Sequence, residues 1–133
     1  MNEAETILGL DMGARRIGVA RGNTLTRLAM PLVVVEVDGT ELGQLGKLIE
    51  QERATRLVIG LPRNLDGDDT DQTRSVRTFA EKLQKSLGLP VEFQDEAGTT
   101  KQAETEAGTT TANLDAHAAA IILQDYLEAL EKR

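Results

Sequence analysis

The chain has 133 residues, of which 40% are hydrophobic, and a formal net charge of −7 at pH 7. This length suggests one hydrophobic core, and we expect residues 1–133 to form a single domain. The absence of cysteine excludes disulfides and thiolate metal sites, and the single histidine excludes a multi-histidine site within one chain. The aromatic content of 2% argues against a platform for base stacking.

The elements predicted in the first half of the chain are three strands, a helix and a fourth strand. The first two strands are joined by a turn that contains Gly13, and the third strand is a β-branched run. The fourth strand is continuously apolar, which is typical of a central parallel strand. The predicted ranges are 7–11, 16–21, 32–37, 38–52 for the helix and 57–61.

The second half predicts a long helix that ends at Gly88, a fifth strand and a last helix. A short helix and a loop of small residues are predicted between the fifth strand and the last helix. In chain order the predicted ranges are 70–87, 91–95, 99–106 for the short helix, 108–112 for the loop and 114–130. The main elements follow the order β-β-β-α-β-α-β-α, which predicts an α/β fold with a mixed five-stranded sheet flanked by helices.

Three carboxylates lie at the ends of distant elements. Asp11 ends the first strand, Glu96 follows the fifth strand, and Asp115 lies in the first turn of the last helix. Because the carboxyl ends of parallel strands meet at one edge of a sheet, we expect the three to converge. Three acids there would repel each other unless cations lie between them, as in two-metal phosphodiester hydrolysis. With no cysteine and one histidine, oxygen ligands remain, which favours Mg²⁺ or Mn²⁺.

Each acid also has a structural interpretation. Asp11 is in a position where turn residues are common. Asp115 would serve as an N-cap, although it shares a helical stripe with the apolar residues Ala119, Ile122 and Tyr126 and should point inward. Strand alternation places Asp95 and Glu96 on opposite faces, so one of them joins the site, and spacing alone leaves the choice open.

Basic residues flank the two loops at this edge. Arg15, Arg16 and Arg63 could hold substrate phosphates, and solvation at the surface is an equally good interpretation for each. His117 is two residues from Asp115 and points to another face of the helix, so we interpret it as incidental, with a role in the substrate groove as the alternative. No run of about 18 apolar residues is present, and the acidic N-terminus has no apolar signal segment. We therefore expect no membrane span, no export and a cytoplasmic protein.

Four segments, in this order and spacing, resemble the YqgF/RuvX family of pre-16S ribosomal RNA nucleases, which are related to Holliday-junction resolvases. The first is GLDMGARRIGVA, and the second is GLPRNLDG. The third is the Asp95-Glu96 pair with Thr99-Thr100, and the fourth is LDAHAAAIILQ. They cover residues 9–20, 60–67, 95–100 and 114–124.

The resemblance implies a ribonuclease-H-like nuclease domain over residues 1–133. It implies a catalytic and metal-binding site on Asp11, Glu96 and Asp115, which favours Glu96 over Asp95, with Mg²⁺ or Mn²⁺ as cofactor. It also implies a cytoplasmic nuclease whose partner is nucleic acid, acting at the 5′ end of pre-16S rRNA, on four-way DNA junctions, or on both. A two-fold homodimer would suit symmetric junction cleavage.

The chain departs from the family pattern beside Glu96. Ala97 and Gly98 stand where the family usually has an arginine and a larger apolar residue, and the loop before Asp115 is short and lacks the usual basic residues. These changes remove positive charge near the substrate path, which bears on affinity and substrate choice more than on metal binding.

Two other functions compete with nuclease activity. One is a non-catalytic ribosome-assembly or nucleic-acid-binding factor of the same fold, which the negative charge and the sparse aromatic residues favour. The other is a nucleotide-handling module, because the Asp-x-Gly turn after the first strand also looks like the phosphate loop of actin-like ATPases. Those proteins need a second such domain, for which this chain is too short.

Overall fold

The computed structural model describes residues 4–62, 67–96 and 111–131. Its strands are β1 Thr6–Met12, β2 Arg16–Asn23, β3 Ala29–Glu36, β4 Ala54–Leu61 and β5 Val91–Asp95. Its helices are α1 Glu41–Glu52, α2 Asp71–Leu87 and α3 Thr111–Glu131.

The five strands form one mixed sheet in the order β3-β2-β1-β4-β5. Strand β2 pairs antiparallel with both β1 and β3, whereas β4 pairs parallel with both β1 and β5. The carboxyl ends of β1, β4 and β5 therefore lie at one edge of the sheet, which we call the carboxyl edge. The observed architecture confirms the predicted α/β class and the predicted mixed five-stranded sheet.

Helices cover both faces of the sheet, because successive strand side chains point to opposite sides. Helices α1 and α2 pack on one side, which we call the helix-pair face, and α3 packs on the other, the α3 face. The core of the helix-pair face contains Leu8, Leu10, Ile17, Val19, Leu45, Leu57, Ile59 and Leu83. The core of the α3 face contains Ile7, Ala20, Val58, Ala119, Ile122, Leu123, Tyr126 and Leu127.

Three elements begin three residues earlier than predicted. Strand β3 begins at Ala29 and includes Pro31, because it lies at the sheet edge, where a residue without an N–H is tolerated. Strand β4 begins at Ala54, and α3 begins at Thr111, within the segment of small residues that predicted a loop. The predicted helix 99–106 lies outside the described residues.

A polar network holds the amino-terminal half of β5 against α3. The Tyr126 hydroxyl donates to Glu92 Oε2 over 2.7 Å, and Arg56 Nη1 donates to the same oxygen over 2.7 Å. Arg56 Nη1 also donates to the Tyr126 oxygen over 2.8 Å. Burial and the hydrogen bond to Glu92 raise the pKa of Tyr126. This network fixes the strand that leads to Glu96.

Within the described parts of the chain, no helix has both the length and the apolar character that crossing a bilayer requires.

Candidate active site

Asp11 lies near the carboxyl end of β1, and its position in the strand places it on the α3 face. Leu8 and Leu10 belong to the core of the helix-pair face, so the intervening and following residues of this alternating strand point to the other side. Asp11 is half-buried and pairs across the β1–β2 ladder with Gly18. Residues paired in this way lie on the same face, so Asp11 stands beside the space above Gly18.

Helix α3 occupies that space. A Cβ atom built on Gly18 would lie 1.9 Å from the backbone oxygen of Asp115, a distance that no side chain can tolerate. Glycine at position 18 therefore lets the backbone of α3 rest directly on β2. The strand pairing and this contact together bring Asp115 to the position next to Asp11.

Asp115 is the fifth residue of α3 and lies in its second turn, because the helix begins at Thr111. The prediction of a first-turn position and the N-cap interpretation are therefore wrong. The inward orientation is supported by the predicted stripe, since Ala119, Ile122 and Tyr126 are all buried. Arg16 Nε donates to Asp115 Oδ2 over 3.0 Å, so the carboxylate is paired with a cation from the start of β2.

Glu96 directly follows β5 and points to the α3 face. Asp95 pairs with Leu61, a residue of the helix-pair core, and the next residue therefore points to the opposite side. The backbone N–H of Glu96 donates to the Leu61 carbonyl over 3.2 Å, which continues the strand pairing. Glu96 is 7% exposed, whereas Asp95 is exposed. Of the two neighbouring acids, Glu96 is the one that shares a face with Asp11.

The Glu96 carboxyl is the most electrostatically perturbed acid described. Burial raises its pKa to about 8, with further contributions from Asp125, through charge and a hydrogen bond, and from the charges of Asp95 and Asp11. Its Oε1 atom is buried and makes no hydrogen bond within the described residues. A buried oxygen without a partner is costly, and a cation placed there would remove the cost.

Asp125 is the acid of this region that the sequence analysis missed. It lies one turn beyond Ile122 on α3 and acts on the Glu96 carboxyl through its charge and a hydrogen bond. The spacing Ala118, Ile122 and Asp125 places it on a buried stripe of the helix. An acid within an otherwise apolar stripe is the signal that could have found it.

The described residues contain no group of three or more acids or histidines close enough together to hold a metal ion. Asp11 and the backbone of Asp115 both adjoin Gly18, and the charge of Asp11 acts on Glu96. These groups offer only carboxylate oxygens, the donors that Mg²⁺ and Mn²⁺ take. By donor chemistry, these carboxylates suit a hard divalent cation, as does the Glu96 oxygen that has no hydrogen-bond partner among the described residues.

The other residues that the sequence singled out have different surroundings from one another. Arg15 is exposed in the β1–β2 loop, at the carboxyl edge, while Arg16 is paired with Asp115. His117 is exposed and does not share the buried stripe of Asp115. Arg63 and Ala97 lie outside the described residues, as does Gly98.

A family model described as RuvX, Holliday junction resolvase, matches residues 5–129. The chain belongs to the RuvX family. The predicted resemblance is thereby confirmed, and it extends over nearly the whole sequence of this RuvX chain.

Curated relatives agree with the family model. A protein from Bordetella parapertussis is 43% identical over 128 residues, which span 95% of this chain and 96% of the relative. One from Paraburkholderia phymatum is 43% identical over 130 residues, 94% of this chain and 86% of the relative. Both carry the name of a candidate pre-16S rRNA nuclease.

Solved structures with the same fold include two resolvases. Thermus thermophilus RuvC, in complex with a Holliday junction substrate, superposes with a TM-score of 0.59 at 16% identity over 95% of this chain and 96% of that chain. The fowlpox virus Holliday junction resolvase superposes with a TM-score of 0.57 at 10% identity over 93% and 99% of the two chains. The RuvX chain therefore has the predicted ribonuclease-H-like fold.

Proposed function

We propose that this RuvX chain is a divalent-metal-dependent nuclease that hydrolyses phosphodiester bonds in structured nucleic acid. The observation that carries the proposal is that Asp11, Asp115 and Glu96 lie toward the α3 face near the carboxyl edge, where the charge of Asp11 acts on Glu96. Elements from both ends of the chain supply these acids, and within the described residues one buried oxygen of Glu96 has no hydrogen-bond partner. Family membership and the fold support the same activity.

Asp11, Glu96 and Asp115 would hold Mg²⁺ or Mn²⁺. The bound cation supplies an activated water and stabilises the negative charge that develops on the phosphate and the leaving oxygen. Arg16 holds the Asp115 carboxylate in place and reduces its repulsion with Asp11. Arg15 is exposed at the same edge, where it can bind a substrate phosphate, and we assign the same role to Arg63.

The names of the relatives indicate two substrate classes. The curated relatives are named for pre-16S rRNA, and the solved structures for Holliday junctions. We infer 5′-end processing of pre-16S rRNA, junction cleavage or both for this chain. A two-fold homodimer would suit cleavage of the two equivalent strands of a junction.

A cleavage panel tests the proposal. Single-stranded RNA, a mimic of the ribosomal-precursor end and a four-way DNA junction are each incubated with the chain and Mg²⁺ or Mn²⁺. We expect cleavage of the precursor mimic, of the junction or of both, and its loss by more than about a hundredfold in Asp11→Asn and Glu96→Gln.

The matched control is Asp95→Asn, which removes an acid next to Glu96 but on the other face of the sheet. It should cleave at a rate near that of the unmodified chain. Circular dichroism of all three variants checks that the fold is retained. Unchanged cleavage by folded Asp11→Asn protein would contradict the proposed function.

A further inference from the structure

A cavity of about 300 Å³ lies between the β1–β2 loop and the first turns of α2. Its walls are formed by Met12, Gly13, Ala14, Gln72, Ser75 and Val76. None of these residues takes part in the proposed metal site, and the cavity has no role in the mechanism above.

The cavity is close to the candidate catalytic carboxylates. Met12 directly follows Asp11, and consecutive Cα atoms are about 3.8 Å apart. Strand alternation points Asp11 to the α3 face and Met12 to the helix-pair face. A substrate that crosses the carboxyl edge at Asp11 thus meets the cavity on the other side of the same strand end.

A second, shallower cavity of about 370 Å³ continues along α2. It is lined by Arg74, Ser75, Thr78, Phe79 and Lys82. Ser75 lines both cavities, so the two adjoin on the exposed side of the helix. Together they form a path that begins beside Asp11 and ends at Lys82, which we call the α2 path.

The charge of the α2 path is opposite to that of the chain. The sequence has 22 acidic and 15 basic residues, yet no acidic side chain is among the described residues that line the two cavities. Arg74 and Lys82 line the second cavity, and both are exposed. Arg74 pairs with Asp71, whose side chain is 99% exposed, so solvent screens this pair and a phosphate can replace it.

We propose that the α2 path binds a single-stranded segment of the nucleic-acid substrate next to the bond that is cleaved. One base enters the first cavity, and the adjoining phosphate lies at Arg74 and Lys82. This proposal rests on the proposed nuclease function and adds to it a subsite that selects unpaired nucleotides over a closed duplex.

The chemistry of the first cavity suits a nucleobase. Its volume is at the lower end of the range for ligand sites, which fits one planar heterocycle better than a larger ligand. Met12 and Val76 offer apolar surface to the ring faces, while the Gln72 amide and the Ser75 hydroxyl supply donors and acceptors for the ring edge. A base in a closed duplex is stacked and paired, and it would have to leave the helix to enter.

The test compares two substitutions of the same residue type on the same helix. Ser75→Trp fills the junction of the two cavities, whereas Ser86→Trp adds the same ring to another exposed position of α2, outside both linings. Neither serine is buried, so both variants should fold. Binding of a fluorescein-labelled single-stranded RNA dodecamer is measured without metal, and KM and kcat are measured with Mn²⁺ on the substrate cleaved in the panel.

We expect Ser75→Trp to weaken binding and to raise KM by about tenfold, with kcat little changed and with Ser86→Trp equal to the unmodified chain. A substrate with one abasic position beside the cleaved bond should lose about the same affinity. The two changes should not add, because both remove the same base contact.

The outcomes separate the subsite from the nuclease proposal. If the unmodified chain cleaves and Ser75→Trp has the same KM, the subsite is overturned and the nuclease function stands. If the unmodified chain binds the dodecamer without cleaving any substrate, and Ser75→Trp alone loses binding, the subsite stands and the nuclease function fails. If the unmodified chain neither binds nor cleaves, both proposals are overturned.

Discussion

At the scale of single residues, Glu96 determines the protonation of the candidate site before a cation binds. Its carboxyl is 7% exposed, one of its oxygens has no hydrogen-bond partner among the described residues, and Asp125, Asp95 and Asp11 contribute negative charge around it. These conditions raise its pKa to about 8. Without metal, the folded chain therefore keeps a proton on Glu96 at pH values where an exposed glutamate has lost it.

This proton predicts a pH-dependent effect of Glu96→Gln on stability. In the unfolded chain Glu96 titrates near its ordinary pKa of 4.5, and in the folded chain near 8. Between these values the unfolded state has released a proton that the folded state still holds, so rising pH disfavours folding of the unmodified chain. The Glu96→Gln variant has no carboxyl to titrate, so it does not lose stability in this way as the pH rises. Below pH 4.5 its melting temperature should nearly equal that of the unmodified chain, and above pH 8 it should be several degrees higher.

Thermal denaturation in the presence of a chelator measures this difference. Asp95→Asn is the control, because it removes one neighbouring charge and leaves the buried carboxyl in place; its melting temperature should depend on pH much as the unmodified chain's does. A Glu96→Gln difference that is independent of pH would show that folding does not raise the pKa of Glu96.

The strand positions of Asp11 and of the Asp95-Glu96 pair were predictable from the sequence, but the partners of these acids were not. Alternation along β5 reduces the choice to Asp95 or Glu96, and the observed pairing of Asp95 with Leu61 places Glu96 on the α3 face. The ion pair between Arg16 and Asp115 joins residues 99 positions apart, and the contact of Asp125 with Glu96 also crosses between elements. Such contacts depend on how α3 lies across the sheet, which periodicity does not specify.

At the scale of elements, the close contact between α3 and β2 positions Asp115. The sequence pattern predicted both elements. It did not predict the role of Gly18 in their packing, which the structure shows because a Cβ there would meet the Asp115 backbone. The same applies to the start of α3. Small residues before Leu114 predicted a loop, although alanine has the highest helix propensity, and the helix extends back to Thr111.

Gly18→Ala should separate α3 from the sheet. The new methyl group would meet backbone rather than a flexible side chain, so the helix must move as a unit. We expect a loss of about 3 kcal/mol in the free energy of unfolding, at the upper end of overpacking effects, measured by urea denaturation. Nuclease activity should fall as well, because Asp115 moves with the helix.

Gly43→Ala provides the matched control. Gly43 lies in α1, where an added Cβ would meet nothing within 4 Å. The same substitution there should raise the free energy of unfolding by about 0.5–1 kcal/mol, because alanine is the better helix former. A Gly18→Ala protein as stable as the Gly43→Ala protein would show that α3 does not rest on β2 as described.

At the scale of the whole molecule, the fold and the family are those of nucleases, but a non-catalytic assembly factor would have the same fold. Only a functional experiment separates these two alternatives. The net charge of −7 is unusual for a protein that holds nucleic acid by its surface alone. It is consistent with an enzyme that contacts substrate over a restricted region, with cations between its acids. The sequence predicted the sheet and its helices well, because hydrophobic periodicity reports burial directly.

A rescue experiment distinguishes the two functions. In a strain that lacks its own RuvX protein and accumulates ribosomal precursor, the unmodified chain should restore processing and Asp11→Asn should not. The two proteins must be present at equal levels, which immunoblotting checks. Full rescue by Asp11→Asn would favour an assembly factor whose carboxylate has no catalytic role.

Anomalous diffraction from crystals soaked in Mn²⁺ shows whether Asp11, Glu96 and Asp115 share divalent cations. Manganese is located by its own scattering, independently of any activity. We predict an anomalous peak at the carboxyl edge, within coordinating distance of carboxylate oxygens from Asp11 and Glu96, which disappears in Asp11→Asn crystals. Well-ordered crystals that bind manganese only elsewhere, or not at all, would overturn the proposed metal site.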